Sequence, residues 1–357
     1  MQIGIYDPYL DDVGGGEKYM MTLAECLAKQ HDVTVFWDND GDLAKVTEQF
    51  SLDLKGITRR KNIFSPKVSF FERAGETKKY DVIIYLSDGS IPLIFSKKLF
   101  IHIQQPLQSL DYSSLKAKLK LSRVDGIIYN SQFTANLNKK LFPKVRSIVL
   151  YPPVTVNQKP TKKENIILHV GRFRPKNVGV EDYKKQAVMI DAFKSMIDHN
   201  LKDWKFVIAT ALHPKDEAIF DQLKKTAQGY PIEFLINKSN QSLWEVFNKA
   251  KIYWHASGFG EDLKAHPEFA EHFGISTVEA MGAGAVPVVI NAGGQKEIIT
   301  EDKDGLLWNT LDELRRKTKR LIDNQKVWES LSEQAQIRAK DFSKERFCSE
   351  ISHLIQK

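Results

Sequence analysis

The amino-acid sequence predicts an α/β protein built from two doubly wound, parallel-sheet domains, and three observations lead to this prediction. The chain has 357 residues, which favours two domains at roughly 100–200 residues each. Short apolar runs rich in β-branched residues alternate with amphipathic stretches, as expected for parallel strands that are covered by helices on both faces. A proline-bearing break, Tyr151–Pro160, separates two such series and is the expected linker.

The first domain is predicted over residues 1–155. Its strands are expected at Ile3–Tyr6, Val33–Trp37, Val82–Leu86, Leu99–Gln104, Gly126–Tyr129 and Ser147–Tyr151. A helix is expected after the first strand, because five apolar residues share one helical face, namely Tyr19, Met20, Leu23, Ala24 and Leu27.

The second domain is predicted over residues 161–340. Its strands are expected at Ile166–Val170, Lys205–Ala209, Ile232–Ile236, Ile252–His255 and Val286–Ile290. A final helix is expected over residues 341–357, with Phe347, Ile351 and Leu354 on one side. Two facing domains of this type bind ligands in the cleft beyond the carboxyl ends of their strands, so the strand-to-helix loops are expected to carry the chemistry.

Charge and cysteine content limit the possible partners and compartments. The formal net charge of +7 permits a nucleotide, a phospholipid surface or a nucleic acid as partner. The two cysteines, Cys26 and Cys348, are too few for a disulfide framework or a cysteine-rich zinc site, which favours a reducing compartment. The N-terminus enters the first strand directly and no run of about 18 apolar residues occurs, so we expect neither a secretory signal nor a membrane span.

A glycine-rich loop, Gly14-Gly15-Gly16, lies between the first predicted strand and its helix. Glycines let the backbone approach a ligand closely, and the free N–H groups at the start of a helix favour an anion. The loop lacks the G-x-G-x-x-G dinucleotide pattern, because Tyr19 occupies the last glycine position. The alternative is a plain turn that needs a positive φ.

A basic loop follows the first strand of the second domain. It contains Gly171-Arg172 and, further on, Lys184-Lys185. Positive charge at this place would stabilise a diphosphate leaving group without a metal ion. The alternative is a solvated basic loop.

Two glutamates, Glu271 and Glu279, stand eight positions apart in the third loop. Ser276 and Glu279 have the S-x-x-E spacing of a capping box, which predicts a helix that begins near Ser276. The N–H groups of Gly274 and Ile275 would then face a diphosphate, and Glu271 would reach a sugar from the loop. The alternatives are a structural cap for Glu279 and a surface carboxylate for Glu271.

These segments together resemble the retaining glycosyltransferases of family four. The resemblance covers nearly the whole chain. Its main signature is the Glu-x7-Glu pair, Glu271 and Glu279, followed by residues 280–289. Five further motifs occur in the family's order: Gly14-Gly15-Gly16-Glu17, Asn130-Ser131-Gln132-Phe133-Thr134, Tyr151-Pro152-Pro153-Val154, Gly171-Arg172-Phe173 and Gly293-Gly294. Within the family, 266–269 and 271–274 are most similar to mannosyltransferases. The resemblance implies the GT-B fold, with the final helix crossing back to the first domain.

The resemblance also implies roles for residues of the second domain. Glu271 would contact the hydroxyl groups of the donor sugar, and Glu279 the hydroxyl groups of the ribose. The backbone of Gly274 and Ile275 would bind the diphosphate.

Basic and glycine residues would complete the donor site. Arg172 and Lys184 would bind the same diphosphate, with Lys185 as the alternative to Lys184. Gly15 and Gly16 would close over the donor phosphate from the first domain.

One position departs from the family pattern. Many members carry a histidine at the end of the fourth strand of the first domain, whereas this chain has Gln104 there and His102 two residues earlier. Either side chain would orient the reacting groups. The alternative for His102 is a histidine packed within the strand.

The resemblance implies a hexosyltransferase that needs no metal and no cofactor. GDP-mannose is the first choice of donor and a UDP-sugar the second, and the acceptor would be a glycan or a lipid-linked glycan. A sugar-nucleotide epimerase or a glycosyl phosphorylase would keep the fold but fits the signature less well. The Asp38-Asn39-Asp40 string is interpreted as a solvated turn rather than a metal site. No nucleic-acid partner is expected, because the basic residues are dispersed and lack an aromatic-basic motif.

A basic segment in the first domain, Leu115–Arg123, suggests contact with a membrane. Lys116, Lys120 and Arg123 recur at helical spacing, and Arg59-Arg60-Lys61 and Lys139-Lys140 add positive charge. Anionic lipid attracts such groups by about 1 kcal/mol each. We therefore expect a cytoplasmic enzyme that can bind peripherally to the membrane. The alternative is a solvated helix whose Leu115 and Leu119 belong to the core.

Overall fold

The computed structural model describes residues 1–12, 14–107, 110–154, 156, 159, 161–177 and 179–356. The chain forms two compact units. Unit 1 comprises Met1–Pro153 together with the segment from Lys344 onward, and unit 2 comprises Val154–Ser343. The break between them thus falls within the proline-bearing segment, and the chain returns to unit 1 only at its C-terminal end.

Unit 1 contains a seven-stranded parallel sheet with the strand order β3-β2-β1-β4-β5-β6-β7. The strands are β1 (Gln2–Tyr6), β2 (Asp32–Phe36), β3 (Ile57–Arg60), β4 (Val82–Leu86), β5 (Lys98–Ile103), β6 (Gly126–Tyr129) and β7 (Ser147–Val149). Its first five helices are α1 (Gly15–Ala28), α2 (Asp40–Phe50), α3 (Phe70–Thr77), α4 (Leu115–Leu121) and α5 (Gln132–Asn138). The six predicted strands and the first helix are confirmed.

Unit 2 contains a six-stranded parallel sheet with the order β12-β11-β8-β13-β14-β15, and a short antiparallel hairpin of β9 and β10. The strands are β8 (Glu164–Val170), β9 (Lys176–Asn177), β10 (Val180–Glu181), β11 (Lys205–Thr210), β12 (Ile232–Ile236), β13 (Ala250–His255), β14 (Val286–Ile290) and β15 (Leu306–Trp308). The helices are α6 (Gln186–Asp198), α7 (Glu217–Thr226), α8 (Asn240–Lys249), α9 (Ile275–Gly282), α10 (Gln295–Ile298), α11 (Leu311–Asp323) and α12 (Gln325–Ala339). The five predicted strands are confirmed, and so is the predicted fold class.

The last helix, α13 (Lys344–Gln356), packs on α1 in the core of unit 1. Phe347, Ile351 and Leu354 are buried there, and the Phe347 ring meets the Tyr19 ring edge to face at 5.0 Å between centroids. The predicted return of the final helix to the first domain is confirmed. The apolar stripe that predicted the helix is the face by which it docks.

A disulfide bond joins Cys26 on α1 to Cys348 on α13, with 5.1 Å between their Cα atoms. The sequence did not predict this bond, because two cysteines are too few for a disulfide framework. The two residues are 322 positions apart, and only the packing of α13 on α1 brings them together. Because disulfides persist in oxidising surroundings, the cysteine content no longer favours a reducing compartment.

Hydropathy along the helices bears on membrane insertion. Within the described ranges, none of the helices is both long enough and apolar enough to cross a membrane.

Candidate active site

A charged cluster in unit 2 centres on Glu271, in the loop before α9. Its Oε2 atom accepts hydrogen bonds from Lys184 Nζ at 2.6 Å and from His255 Nε2 at 2.9 Å. His255 is the last residue of β13, and Lys184 lies two residues before α6. The cluster therefore forms where the strands of a doubly wound sheet present their carboxyl ends, which is the usual place for a ligand.

The electrostatics of this cluster keep Glu271 ionised. Burial by itself would raise the pKa of the carboxyl group, but the Lys184 ammonium and the hydrogen bond from His255 outweigh it and hold the pKa well below its usual range. Burial lowers the pKa of His255, so its ring is neutral near pH 7 and donates its Nε2 proton to the carboxylate. Both hydrogen bonds end on Oε2 of Glu271, and Oε1 takes part in neither of them.

The structure distinguishes the two neighbouring lysines. Lys185 has a left-handed backbone conformation, with φ at 55°, so its side chain diverges from that of Lys184. Its ammonium pairs with Glu261 at 2.5 Å, whereas the Lys184 ammonium pairs with Glu271. Of the two candidates for the basic position, Lys184 is thus the one beside the predicted sugar-binding carboxylate.

The loop after β8 brings Gly171 and Arg172 to the same end of the sheet. A Cβ atom on Gly171 would lie 3.0 Å from His169 Nε2, so glycine leaves room for the His169 ring. Arg172 is partly exposed on this loop. His169 is fully buried, donates from Nδ1 to the Trp254 carbonyl at 3.0 Å, and has a pKa that burial lowers to about 3.

Sequence reasoning missed His255 and Tyr183. His255 ends a predicted strand, and the residue at the carboxyl end of a parallel strand is a general signal for a site. The Tyr183 hydroxyl donates to the Glu268 carbonyl at 3.1 Å, which ties the loop before Glu271 to the segment that carries Lys184. Only the folded chain reveals that contact, because 85 positions separate the two residues.

Helix α9 begins at Ile275, with Gly274 at its N-cap in a conformation of φ 120°. The predicted start near Ser276 is correct to within one residue, but the predicted capping box is wrong. The Ser276 hydroxyl lies 2.7 Å from the Tyr253 hydroxyl, and Gly274 has no side chain to cap the helix. The first N–H groups of a helix lack partners within it, so the backbone of Gly274 and Ile275 remains a candidate anion site. Glu279 lies on the same helix, partly exposed.

Gly294 holds the backbone of the Glu271 loop. The Gly294 N–H donates to the Glu271 carbonyl at 2.8 Å. A Cβ atom on Gly294 would lie 2.5 Å from the His272 carbonyl oxygen and 2.5 Å from Phe273 Cα. The backbone of His272 and Phe273 leaves no room for a side chain at position 294, so glycine there lets this loop keep its backbone conformation beside Glu271.

We expect Gly294→Ala to lower both the melting temperature and turnover. The added methyl must displace the backbone at His272, and overpacking of this kind costs about 1–3 kcal/mol. Thermal melts and donor turnover measure the two effects. Gly75→Ala is the matched control, because a Cβ there meets nothing within 4 Å and alanine favours a helix over glycine by about 0.8–1.0 kcal/mol. A Gly294→Ala enzyme with unchanged melting and turnover would contradict the assignment.

The predicted residues of unit 1 divide into two groups. Gln104 lies against Gly16: its Nε2 donates to the Gly16 carbonyl at 3.4 Å, and a Cβ on Gly16 would lie 2.6 Å from its Oε1. Gly15 begins α1, and Glu17 Oε2 accepts the Gly14 N–H at 2.5 Å. The glycine loop and the residue that follows β5 therefore meet.

His102, by contrast, is a packed strand histidine. Its ring is fully buried, contacts the Ile128 carbonyl through Nδ1 at 3.0 Å, and stacks on Tyr19 with 4.1 Å between centroids. Burial lowers its pKa to about 3. The enclosed ring fits the alternative of a histidine packed within the strand, and a role for His102 in the reaction stays a prediction.

Sequence reasoning also missed Asp7, which follows β1 directly. Its Oδ1 accepts the Tyr9 N–H at 2.9 Å, and its buried Oδ2 has no hydrogen-bond partner in the described structure. Burial, with the nearby negative charge of Glu17, raises the pKa of Asp7 to about 8. Its carboxyl group is therefore largely protonated at pH 7.

The aspartates of the Asp38-Asn39-Asp40 string are engaged elsewhere. Asp40 forms an ion pair with Arg59, and Asp38 Oδ1 accepts the Asn62 N–H at 2.9 Å. Across the residues that the structure describes, no group of three or more His, Cys, Asp or Glu is placed to hold a metal ion.

Two family profiles match most of the chain. Residues 155–338 match the profile described as glycosyl transferases group 1, and residues 13–158 match the profile described as glycosyltransferase family 4.

Individual relatives are similar at low identity. The chain is 23% and 26% identical to the GDP-Man:Man(3)GlcNAc(2)-PP-Dol alpha-1,2-mannosyltransferases of Dictyostelium discoideum and Xenopus laevis, over 64% and 53% of its own length. It covers only 46% and 39% of those two enzymes. It is 27% identical to the GalNAc-alpha-(1->4)-GalNAc-alpha-(1->3)-diNAcBac-PP-undecaprenol alpha-1,4-N-acetyl-D-galactosaminyltransferase of Campylobacter jejuni, over 96% of this chain and 92% of that enzyme.

Solved structures share the fold. The crystal structure of the Anabaena protein Alr3699/HepE in complex with UDP superposes with a TM-score of 0.76 at 18% identity and covers 100% of both chains.

Proposed function

Because this chain belongs to the group 1 glycosyl transferases and has their GT-B fold, we propose that it transfers a hexose, with retention, from a nucleoside diphosphate sugar to a lipid-linked glycan. The observation that carries the proposal is the ionised Glu271 carboxylate, held by Lys184 and His255 before the start of α9. The site thus combines one carboxylate with cationic side chains and with the N–H donors at the start of a helix. That combination suits a sugar joined to a diphosphate.

The proposed leaving group is the nucleoside diphosphate. In the reaction, the bond between the anomeric carbon and the diphosphate oxygen breaks, the acceptor hydroxyl bonds to the same face of the sugar, and its proton passes to the departing oxygen. Lys184 has three N–H donors, of which the Glu271 contact uses one. Its remaining donors, with Arg172 and the N–H groups of Gly274 and Ile275, would stabilise the charge that develops on the diphosphate.

The proposed sugar contact is Glu271. Lys184 and His255 both bind Oε2, so Oε1 would accept a hydrogen bond from a sugar hydroxyl. A carboxylate that stays ionised makes a stronger acceptor than a neutral group. Glu279, on α9, would bind the ribose hydroxyls. Gly15, Gly16 and Gln104 remain predicted site residues of unit 1.

The names of the relatives support the proposed donor and acceptor. The two mannosyltransferases favour GDP-mannose as the first candidate donor. A UDP-sugar is the second candidate, because the Campylobacter relative that matches almost the whole chain is an N-acetylgalactosaminyltransferase and HepE binds UDP. All three enzymes carry a PP-Dol-linked or PP-undecaprenol-linked glycan in their names, which supports a lipid-linked acceptor.

Donor hydrolysis tests the proposal without knowledge of the acceptor. The enzyme is incubated with GDP-mannose, UDP-glucose and UDP-N-acetylgalactosamine, and release of nucleoside diphosphate is measured with and without EDTA. We expect GDP from GDP-mannose, an α-configured sugar product by NMR, and no effect of EDTA. Glu271→Gln is the inactive control.

Several outcomes would contradict the proposal. Failure to hydrolyse or bind any nucleotide sugar would refute glycosyl transfer. A free epimerised nucleotide sugar would favour an epimerase, and a requirement for inorganic phosphate would favour a phosphorylase. Complete loss of activity with EDTA would indicate an essential metal ion and would favour Asp38 and Asp40 as its ligands.

A further inference from the structure

Large apolar side chains are exposed together on two helices of unit 1. The exposed fractions are 84% for Phe71 and 48% for Phe70, both on α3, and 86% for Leu115 and 59% for Leu119, both on α4. They are four of the nine large hydrophobic residues that are exposed in the described structure. Scattered single residues need no explanation, but a group of four does.

Contacts around Phe95 connect α3 to the segment that follows α4. The Phe95 ring lies 6.1 Å from the Phe70 ring and 5.9 Å from the Arg123 guanidinium. Arg123 follows α4 closely and donates to the Ser96 carbonyl at 3.0 Å. The end of α4 is therefore fixed beside the start of α3. We call the set of Phe70, Phe71, Leu115, Leu119 and the α4 lysines the α3/α4 surface.

Helix α4 contributes no buried residue to unit 1. Leu115 and Leu119 are one turn apart and thus share a face, and both are exposed, so the alternative that they belong to the core is wrong. A seven-residue helix is marginal in water by itself. Ser114 stabilises its start by accepting the Ala117 N–H at 3.2 Å, which presents the two leucines to the surroundings.

Positive charge dominates α4, and the Asp111 carboxylate interacts with Lys118 from beyond ion-pair distance. Lys116, Lys118 and Lys120 all lie on α4, and the described part of the chain places no carboxylate within ion-pair distance of them. Partial burial lowers the pKa of Lys120, and repulsion from Lys116 and Arg73 adds to this. Arg59 and Arg60, which the sequence also suggested for membrane contact, are instead paired with Asp40 and Glu76.

We propose that the α3/α4 surface docks on an anionic lipid bilayer, with its phenylalanines and leucines in the interface and its lysines on the headgroup phosphates. Protruding apolar residues among basic ones fit a fluid bilayer, which needs no complementary shape. The inference rests on the proposed function for its purpose: it places the enzyme where a lipid-linked acceptor is found. The docking itself needs no catalysis.

Vesicle sedimentation tests the proposal with the full chain. Wild-type protein is mixed with vesicles of phosphatidylcholine alone or with added phosphatidylglycerol, at low and high salt. We expect binding that requires phosphatidylglycerol and weakens with salt. Phe71→Ser/Leu115→Ser and Lys116→Glu/Lys118→Glu/Lys120→Glu should each weaken it by about tenfold or more.

Matched controls make the same changes elsewhere. Ile219→Ser/Ile337→Ser removes two other exposed apolar residues, and Lys202→Glu/Lys215→Glu/Lys225→Glu reverses three exposed lysines of unit 2. Both should bind like wild type, and all variants should keep their melting temperature and donor hydrolysis.

Three results would overturn the proposal. The wild-type protein could bind no vesicle, or the control variants could lose as much vesicle binding as the test variants. In the third, the Phe71→Ser/Leu115→Ser variant keeps its vesicle binding but has a different oligomeric state by light scattering. The last result would identify a contact between copies of the chain. Failure of donor hydrolysis would refute the proposed function but leave the vesicle assay valid. The proposed function and the proposed membrane docking can therefore fail separately.

Discussion

Replacing Lys184 by alanine is expected to lower turnover of the nucleotide sugar by about 100-fold or more. The Lys184 ammonium lies 2.6 Å from Glu271 Oε2 and is the proposed donor to the departing diphosphate. Loss of one such electrostatic donor typically costs about 2.7–4 kcal/mol in the transition state. Arg172→Ala should lower turnover similarly. Initial rates at saturating donor measure both.

The same variant should shift the pH dependence of the reaction. In the wild type, Lys184 and His255 overcome the effect of burial and hold the pKa of Glu271 well below its usual range. Without Lys184, the effect of burial is less opposed and the pKa of Glu271 rises. The carboxylate is then protonated at a higher pH, so the acid limb of the rate profile moves to higher pH.

Lys185→Ala is the matched control for this prediction. The two lysines are adjacent, but Lys185 pairs with Glu261. Its loss should leave the acid limb in place and reduce turnover far less than loss of Lys184. The reverse order of effects, or wild-type turnover in both Lys184→Ala and Arg172→Ala, would refute the assignment of the basic pair.

The second large effect separates the two glutamates. Glu271→Ala should reduce transfer by about 100-fold or more while the nucleoside diphosphate still binds, because its proposed partner is the sugar at the reacting centre. Glu279→Ala should weaken binding of the nucleoside diphosphate by about tenfold or more, since a hydrogen bond to a charged group is worth about 1.5–3 kcal/mol. Isothermal calorimetry and initial rates distinguish the two.

The structure removes one reason for Glu279→Ala to be unstable. The capping box with Ser276 does not form, because α9 begins at Ile275 and its N-cap residue is Gly274. Glu245→Ala, at an exposed position on α8, is the control for loss of a helical glutamate. Normal nucleotide binding by Glu279→Ala would exclude the proposed ribose contact.

Most of the strands that the sequence predicted correctly share one property. Stretches such as Val82–Leu86 are continuous apolar runs, because both faces of a parallel sheet are covered by helices. Strand β3 escaped prediction because Ile57–Arg60 lies at the sheet edge, alternates exposed and half-buried positions, and ends in two arginines. Strand β15, which also escaped prediction, has only three residues.

The candidate site was predictable only in part, because its partners are distant in the chain. Motif order placed Glu271 and Lys184, but the choice between Lys184 and Lys185 depends on a left-handed turn that the sequence does not reveal. His255 is 16 positions from Glu271 and is marked only by its place at the end of a strand. Ser276 matched a local capping pattern, yet in the structure its hydroxyl group is hydrogen-bonded to Tyr253, a residue distant in the sequence.

The bond between Cys26 and Cys348 changes the topology of the polypeptide as well as the packing of its last helix. It closes the backbone from residue 26 to residue 348 into a covalent ring, and all of unit 2 lies within that ring. A single break of the backbone inside unit 2 would therefore not release a fragment. Both pieces would stay linked through α1 and α13, and they would separate only after the disulfide is reduced.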